Sequence, residues 1–283
     1  MLLVLQSPEP WSPEAIAESA ALCGATRTVP VDARRIRHET QLPPASWRES
    51  LLAFCARHQA DAAMLHAPRP LPGYRLMVFD MDSTLIDIEC IDELAARVGR
   101  GAEVAALTDK AMRDPTVAYD DSLRARVRCL QGMTLAEMEA VYAERVRFNP
   151  GARELIADAR GLGLRTALVS GGFNEFARRV QRELGIDEVV CNGLETRDGR
   201  LTGEMTGTLV NAREKARALA RFCDQIGCPT TDAIAVGDGA NDLEMMAIAG
   251  LSVSYRAKPV VRRRADVLID HGTLHDLVAL LAG

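Results

Sequence analysis

The chain has 283 residues, of which 48% are hydrophobic and 26% charged, and its formal net charge is −5. This length predicts about two domains, and the composition is that of a globular protein with a sizeable core. A mildly acidic chain argues against nucleic-acid binding, which requires a basic surface. We interpret the one basic run, residues 262–264, as a solvent-facing helix surface.

The seven cysteines indicate a reducing compartment. They are scattered, and no two of them form a CxxC pair, which argues against both a disulfide framework and a zinc site. The first residues lack the pattern of a signal peptide, and no apolar run is long enough to span a membrane. We therefore expect a cytoplasmic protein. The five histidines show no recognisable spacing, and we assign them no role.

Residues 1–70 predict a small α+β N-terminal domain. The pattern favours a strand at "MLLVLQ", a helix over 13–23, strands at "TRTVPVD" and "RRIRHET", a helix over 45–58 and a strand at "DAAMLHA". This order is typical of a split βαβ or ACT-like module. The following segment, "HAPRPLPGYR", contains three prolines and a glycine, which indicates a linker.

From Arg75 onward, apolar strands alternate with helical segments. Such alternation predicts an α/β domain over 74–283, with a Rossmann-like, mostly parallel sheet and helices on both faces. Residues 88–148 show no strand pattern and predict a helical cap inserted into this domain. Asp198 and Gly199 lie between two strand-like runs and predict a hairpin.

Three predicted strands of this domain end in polar residues. Asp80 and Asp82 follow the strand "RLMVF", a Ser-Gly-Gly turn at 170–172 ends the second strand, and Asp238 follows the third. Ligands of parallel sheets bind at the carboxyl ends of the strands, where these groups would converge. Clustered carboxylates repel one another unless a cation is present, and oxygen ligands favour Mg²⁺. The pattern therefore predicts a magnesium and phosphate site.

The same residues predict a phosphoryl-transfer chemistry. Asp80 can act as a nucleophile toward phosphorus, and Asp82 can protonate the leaving oxygen and later deprotonate water. Ser170 and Lys215 can bind phosphate oxygens, since one is a hydroxyl donor and the other a cation. Dinucleotide binding is the competing reading, but "GDGAND" lacks the third glycine and "GLGLRT" precedes its strand, so the fingerprint fails.

Four ordered motifs resemble the haloacid dehalogenase superfamily. They are "DMDST" at 80–84, "SGG" at 170–172, Lys215 and "GDGANDLEM" at 237–245. The longer runs "FDMDSTLIDIECIDELA", "LVSGGF" and "GDGANDLEMM" resemble, within that superfamily, the members that hydrolyse phosphoserine. The resemblance covers about 74–283 and leaves the first 70 residues without a role.

The resemblance implies a role for each matching position. Asp80 would be the phosphorylated nucleophile and Asp82 the acid/base. Mg²⁺ would be bound by side-chain oxygens of Asp80 and Asp238 and the backbone carbonyl of Asp82, with Asp242 supporting them. The phosphate would be held by Ser170, Gly171, Lys215 and Asn241.

The resemblance also implies that the cap selects the substrate. Glu89 would bind the ammonium group of phosphoserine, and Arg126 its carboxylate. Met112 and Tyr119 match apolar positions that close over the substrate. Two features depart from the usual pattern: the spacing is one residue longer near 113–118, and a tyrosine stands at 119 where phenylalanine is common.

The resulting prediction is magnesium-dependent hydrolysis of O-phospho-L-serine through an aspartyl-phosphate, as the last step of serine biosynthesis. One alternative is a phosphotransferase that moves the phosphoryl group to another alcohol such as homoserine. The other is a regulatory binding protein that senses an amino acid through residues 1–70. The expected partner is a small phosphomonoester, with no nucleic acid and no membrane, and a homodimer remains open.

Overall fold

The computed structural model of the protein describes residues 1–41, 47–114 and 117–282, with the side chain of Met112 outside that description. The first elements alternate in the order β-α-β-β-α-β. They are β1 (Leu2–Gln6), α1 (Pro13–Cys23), β2 (Ala25–Pro30), β3 (Arg35–Thr40), α2 (Trp47–His58) and β4 (Asp61–Leu65). The four strands lie side by side in the order β2-β3-β1-β4, and all their neighbours are antiparallel.

Local capping explains where α1 begins and ends. The hydroxyl of Ser12 accepts the backbone N–H of Ala15 at 3.2 Å, which satisfies one free donor of the first turn. Gly24 follows the last turn with φ of 60°, a left-handed conformation that glycine adopts without steric cost.

The remaining elements comprise the strands of a second, larger part of the same sheet and the helices that lie between and after these strands along the chain. They are β5 (Leu76–Phe79), α3 (Cys90–Arg97), α4 (Gly101–Arg113), α5 (Tyr119–Arg128), α6 (Leu135–Arg145), α7 (Ala152–Gly161), β6 (Arg165–Phe173), α8 (Asn174–Leu184), β7 (Glu188–Arg197), β8 (Arg200–Thr206), α9 (Ala212–Ile226), β9 (Ala233–Gly237), α10 (Leu243–Ile248), β10 (Leu251–Tyr255), α11 (Pro259–Arg262), β11 (Val267–Ile269) and α12 (Asp276–Ala282). Strands β11-β10-β9-β5-β6-β7 are parallel, and β8 returns antiparallel to β7.

One continuous sheet joins the two parts, because β4 pairs antiparallel with β11 and Ala63 lies opposite Val267. The predicted fold class is confirmed. The core is a mostly parallel sheet with packed helices, a further set of helices is inserted after β5, and the N-terminal strands extend the sheet. The division into domains at 1–70 and 74–283, with a cap at about 88–148, stays a prediction, which limited proteolysis would test.

Strand β5 is central and buried on both faces. Met77 and Phe79 pack in the larger apolar cluster on one face, whereas Leu76 and Val78 pack in the cluster on the other. This alternation follows from the two-residue period of a strand. The carboxyl end of β5, and therefore Asp80, lies in the middle of the sheet between β6 and β9.

The insertion after β5 consists of α3 to α6, as its helical pattern predicts, and the hairpin at Asp198–Gly199 joins β7 to β8. Thr134 and Glu137 form a capping box at the start of α6, with the Thr134 hydroxyl accepting the Glu137 N–H at 3.1 Å. No helix among the described residues is both long and apolar enough to cross a membrane.

Candidate active site

The end of β5 holds Asp80 in a fixed position. Its backbone N–H donates to the carbonyl of Val236 at 2.9 Å, which continues the pairing of β5 with β9. One carboxylate oxygen, Oδ1, accepts the N–H of Met81 at 2.7 Å. The chain then turns back, and Leu85 N–H donates to the carbonyl of Met81 at 2.8 Å. Asp80 as a residue is 5% exposed.

Lys215, on the first turn of α9, lies between two carboxylates. Its Nζ is 2.8 Å from Asp80 Oδ1 and 2.8 Å from Asp242 Oδ1, and its side chain is fully buried. Burial alone would lower the pKa of Lys215, but Asp242 and Asp80 outweigh it and raise that pKa. Lys215 is therefore a permanent cation beside Asp80.

Asp242 organises the turn after β9. Its Oδ2 accepts the backbone N–H groups of Asp238 at 3.2 Å and of Gly239 at 3.0 Å. The other oxygen contacts Lys215, so the whole carboxylate is engaged by the protein. Burial raises the pKa of Asp242 to about 6, against the lowering effect of Lys215.

Asp80, Asp238 and Asp242 form an acidic cluster that fits a metal ion. One carboxylate oxygen of each lies within 4.8 Å of the others, and this hard-oxygen donor set suits a divalent cation of the Mg²⁺ type. Burial, Asp80 and Asp242 raise the pKa of Asp238 to about 7. The hydroxyl of Thr84 donates to Asp238 at 3.3 Å.

The carboxylate of Asp82 lies outside this cluster and contacts the start of α3. Its Oδ2 accepts the backbone N–H of Cys90 at 3.3 Å, and its Oδ1 accepts the thiol of Cys90 at 2.9 Å. Burial, together with the charges of Glu89 and Asp80, raises the pKa of Asp82 well above its usual range. A raised pKa favours the protonated carboxyl group that a general acid requires.

The sequence predicts a turn at residues 170–172, but they lie inside β6 (Arg165–Phe173), where the pairing with β7 is irregular. The Ser170 hydroxyl accepts the N–H of Gly172 at 2.9 Å, and the Gly171 carbonyl accepts the side-chain N–H of Asn192 at 2.7 Å. A Cβ atom on Gly171 would lie 2.5 Å from the Tyr119 hydroxyl. A larger residue at 171 would therefore displace the Tyr119 side chain of the cap from this part of β6.

A cavity of about 600 Å³ lies between this sheet edge and the cap. Its lining from the sheet comprises Asp80, Asp82, Ser170, Gly171, Gly172, Phe173, Asp238, Ala240, Asn241 and Lys258. From the cap, α5 contributes Tyr119, Ser122 and Arg126, which share one helix face because they are three and four residues apart. The Arg126 Nε donates to the carbonyl of Ser122 at 3.4 Å.

Glu89 lines the same cavity immediately before α3. It accepts the hydroxyl of Ser83 at 2.8 Å, and Ser83 adopts φ of 57°, unusual for a residue other than glycine. Burial raises the pKa of Glu89. The Glu89 residue is partly open to solvent, and a carboxylate with one hydroxyl partner retains oxygen lone pairs for a ligand cation.

The structure brings eleven of the twelve predicted site residues together. Nine of them line the cavity, while Lys215 and Asp242 lie buried beneath it. The twelfth is Met112: its backbone belongs to α4, and its side chain lies outside the description. The predicted one-residue insertion near 113–118 falls partly on residues 115–116, also outside the described residues.

Two residues at the site were missed by the sequence reasoning. Cys90 contacts Asp82, and Lys258 Nζ lies 3.9 Å from Asp238 Oδ2. Lys258 precedes Pro259 at the start of α11, and its backbone N–H donates to the Asp238 carbonyl at 2.9 Å. A lysine three residues after a strand and directly before a helix-starting proline is a signal that could have drawn attention to it.

The fold and the acidic site define a class of hydrolase. The family model of haloacid dehalogenase-like hydrolases matches residues 77–247, which span β5, the cap and the acidic turn after β9. Within that class, the chain belongs to the phosphoserine phosphatase family. It is 50% identical over 215 residues to a phosphoserine phosphatase of Polaromonas sp. (strain JS666), and this match covers 75% of the chain and 91% of the relative.

Two crystal structures resemble the chain over nearly its whole length. A probable phosphoserine phosphatase from Vibrio cholerae is 31% identical, with a TM-score of 0.80, over 99% of this chain and 86% of that one. A HAD family hydrolase from Salmonella enterica serovar Typhi is 26% identical, with a TM-score of 0.85, over 99% and 97%. The N-terminal strands therefore belong to an architecture that other members share.

Proposed function

We propose that this enzyme hydrolyses O-phospho-L-serine to L-serine and phosphate, the last step of serine biosynthesis, through an aspartyl-phosphate on Asp80. The observation that carries the proposal is the pairing of Asp80 with Lys215 at 2.8 Å. It places a lysine cation beside a strand-end carboxylate that opens into a cavity lined by Asp82 and Ser170. The similarity of the chain to phosphoserine phosphatases supports phosphoserine as the substrate.

In the first half of the reaction, Asp80 attacks phosphorus while the bond from phosphorus to the serine oxygen breaks. Asp82 gives its proton to that oxygen, so that L-serine leaves as a neutral alcohol. In the second half, Asp82 takes a proton from water as the water oxygen attacks phosphorus. The bond between Asp80 and phosphorus then breaks, and both carboxylates return to their first state.

The phosphoryl group is held by donors that surround Asp80. Lys215 supplies the buried cation, and the Ser170 hydroxyl, the N–H of Gly171 and the side chain of Asn241 supply hydrogen bonds. Because Lys215 is buried and paired on both sides, its position changes little when the substrate enters. Such preorganised groups stabilise the charge that develops in the transition state.

We assign Mg²⁺ to the acidic cluster, with side-chain oxygens from Asp80 and Asp238 and the backbone carbonyl of Asp82 as ligands. Asp242 supports this set through its hydrogen bonds to the turn after β9. When bound, the ion would relieve repulsion between the attacking carboxylate and the phosphate and polarise a phosphoryl oxygen.

The cap is proposed to read the amino-acid part of the substrate. Glu89 would pair with the ammonium group and Arg126 with the carboxylate, for which a guanidinium can donate two hydrogen bonds at once. Tyr119 and Met112 would cover the bound molecule. This proposal is supported by Glu89, Tyr119 and Arg126 lining the same cavity as Asp80.

A phosphate-release screen with purified protein tests the proposal. Amino-acid phosphates and sugar phosphates are compared with and without Mg²⁺, and homoserine is added to detect transfer to a second alcohol. We expect phosphoserine to give the highest kcat/KM and the release to require a divalent cation. A phosphorylated homoserine product, or a clear preference for sugar phosphates, would contradict the assignment.

We also propose that the enzyme works in the cytoplasm. All seven cysteines are free thiols, which fits a reducing compartment. The homodimer stays a prediction, and analytical ultracentrifugation of the purified chain would test it.

A further inference from the structure

Cys90 is the residue that holds Asp82 in place. It is the first residue of α3 and is fully buried. Its thiol lies 2.9 Å from Asp82 Oδ1, and its backbone nitrogen lies 3.3 Å from Asp82 Oδ2. One residue thus contacts both oxygens of the carboxyl group.

Two donors on two oxygens determine how the carboxyl plane is oriented. The backbone N–H belongs to the first turn of a helix, where it lacks an intrahelical partner and is directed outward. The Cys90 thiol is fully buried and donates its S–H to Oδ1 at 2.9 Å. Without the thiol, rotation about the last side-chain bond of Asp82 would be restrained by the N–H group alone.

The oriented carboxyl group lies beside the segment that is proposed to bind phosphate. A Cβ atom built on Gly172 would lie 3.4 Å from Asp82 Oδ2, so this oxygen lies beside residues 170–172 of β6. The leaving oxygen of a phosphate held by these residues would lie on the same side. Cys90 therefore holds the Asp82 carboxyl group next to the expected place of the leaving oxygen, where alignment favours proton transfer.

We propose that Cys90 is a positioning residue for general acid catalysis, which keeps the Asp82 carboxyl group aligned with the leaving oxygen of the substrate. This inference rests on the proposed function of Asp82. In the step concerned, the bond from phosphorus to the leaving oxygen breaks as that oxygen receives the Asp82 proton. Cys90 itself keeps its proton throughout.

The inference predicts a dependence on the leaving group. Serine and phenol leave as basic oxygens that need a proton, whereas p-nitrophenol leaves readily without one. A positioned general acid contributes roughly 10²- to 10⁴-fold, and partial loss of its alignment removes part of this factor. For Cys90→Ala we expect kcat/KM to fall about tenfold or more with phosphoserine and phenyl phosphate, and less than about threefold with p-nitrophenyl phosphate.

Two further variants separate positioning from packing. Cys90→Ser keeps a donor at the same place, and we expect it to restore most of the lost rate with phenyl phosphate. Cys23→Ala is the matched control, because Cys23 is also fully buried and donates its thiol to a carbonyl, that of Ala20 at 3.6 Å, in the N-terminal part of the fold. We expect wild-type rates from it with all three substrates.

Equal losses with phenyl phosphate and p-nitrophenyl phosphate would overturn the proposal, as would wild-type rates in Cys90→Ala or a failure of Cys90→Ser to restore the rate. A loss confined to phosphoserine would also overturn it, because it would indicate amino-acid recognition through neighbouring Glu89. Failure of the proposed function looks different: the wild-type enzyme would not release phosphate from phosphoserine. The comparison of the two aryl phosphates would still decide the role of Cys90.

Discussion

Replacing Lys215 by methionine tests the electrostatic account of the site. The change removes the cation that lies 2.8 Å from both Asp80 and Asp242, while methionine fills a similar volume. Two buried carboxylates then lose their partner. Breaking a buried ion pair from one side costs about 3–5 kcal/mol of unfolding free energy, and we expect a loss of this size at pH 8 in the absence of a divalent cation.

The loss of unfolding free energy in Lys215→Met should depend on pH, and the titration of Asp242 determines in which direction. Its pKa is raised from 3.8 to about 6 in the folded protein, so the folded state holds the proton more tightly than the unfolded chain. Stability from such a group is present below pH 3.8 and falls as the pH rises through the folded pKa. Losing Lys215 removes a group that lowers this pKa, which moves the fall to higher pH. At pH 5 we expect a loss of only about 1–2 kcal/mol, the scale of the missing hydrogen bonds.

Urea unfolding followed by circular dichroism, in EDTA at pH 5 and at pH 8, measures both values. Lys258→Met is the matched control, because its side chain is 52% exposed and its Nζ lies 3.9 Å from Asp238. An exposed pair of this kind contributes at most about 1 kcal/mol. A Lys215→Met loss below about 1 kcal/mol at pH 8, or an equal loss at both pH values, would refute the reasoning.

Three further predictions concern catalysis and metal binding. Asp80→Asn removes the nucleophile and should lower kcat for phosphoserine by more than about 10³-fold. The variant should still show a cooperative unfolding transition. Turnover close to that of the wild type would exclude the aspartyl-phosphate. Arg126→Ala should raise KM for phosphoserine by about 10- to 100-fold, because it removes the binding free energy of a charge-assisted hydrogen bond. The KM for p-nitrophenyl phosphate, which has no carboxylate, should change little. The pKa of Asp238 is raised to about 7 without a metal, so protons compete with Mg²⁺ for this carboxylate. Calorimetry should therefore show that the affinity for Mg²⁺ rises about tenfold from pH 6 to pH 8. An affinity for Mg²⁺ that does not change with pH would contradict this prediction.

Elements with a clear period could be predicted from the sequence. The strand predicted at "MLLVLQ" is observed as β1 (Leu2–Gln6), and the helix predicted over 13–23 is observed as α1 (Pro13–Cys23). In contrast, nothing local predicts that β4 pairs with β11, because strand pairing between distant segments depends on tertiary packing. The N-terminal strands therefore join the core sheet at an edge that sequence reasoning leaves open.

The same distinction holds at the site. Asp80, Ser170 and Asp238 each directly follow a predicted strand, so the topology of a parallel sheet brings them together. The contact of Cys90 with Asp82 depends instead on the turn between them, where Ser83 adopts a left-handed conformation. Such a turn at a residue other than glycine carries no composition signal, and eight residues of separation do not predict contact.

The charge balance of the site links the metal to the substrate. Asp80 and Asp242 pair with the buried Lys215, and Asp238 lies 3.9 Å from the half-exposed Lys258, so three carboxylates face two ammonium groups when all are ionised. Burial and the two neighbouring carboxylates raise the pKa of Asp238, and a divalent cation would compensate the excess negative charge. The phosphate of the substrate brings further negative charge to the same place. The phosphate would be repelled by the metal-free protein and attracted by the protein with Mg²⁺ bound. Binding of Mg²⁺ should therefore increase the affinity for phosphoserine, and phosphoserine should increase the affinity for Mg²⁺ by the same factor.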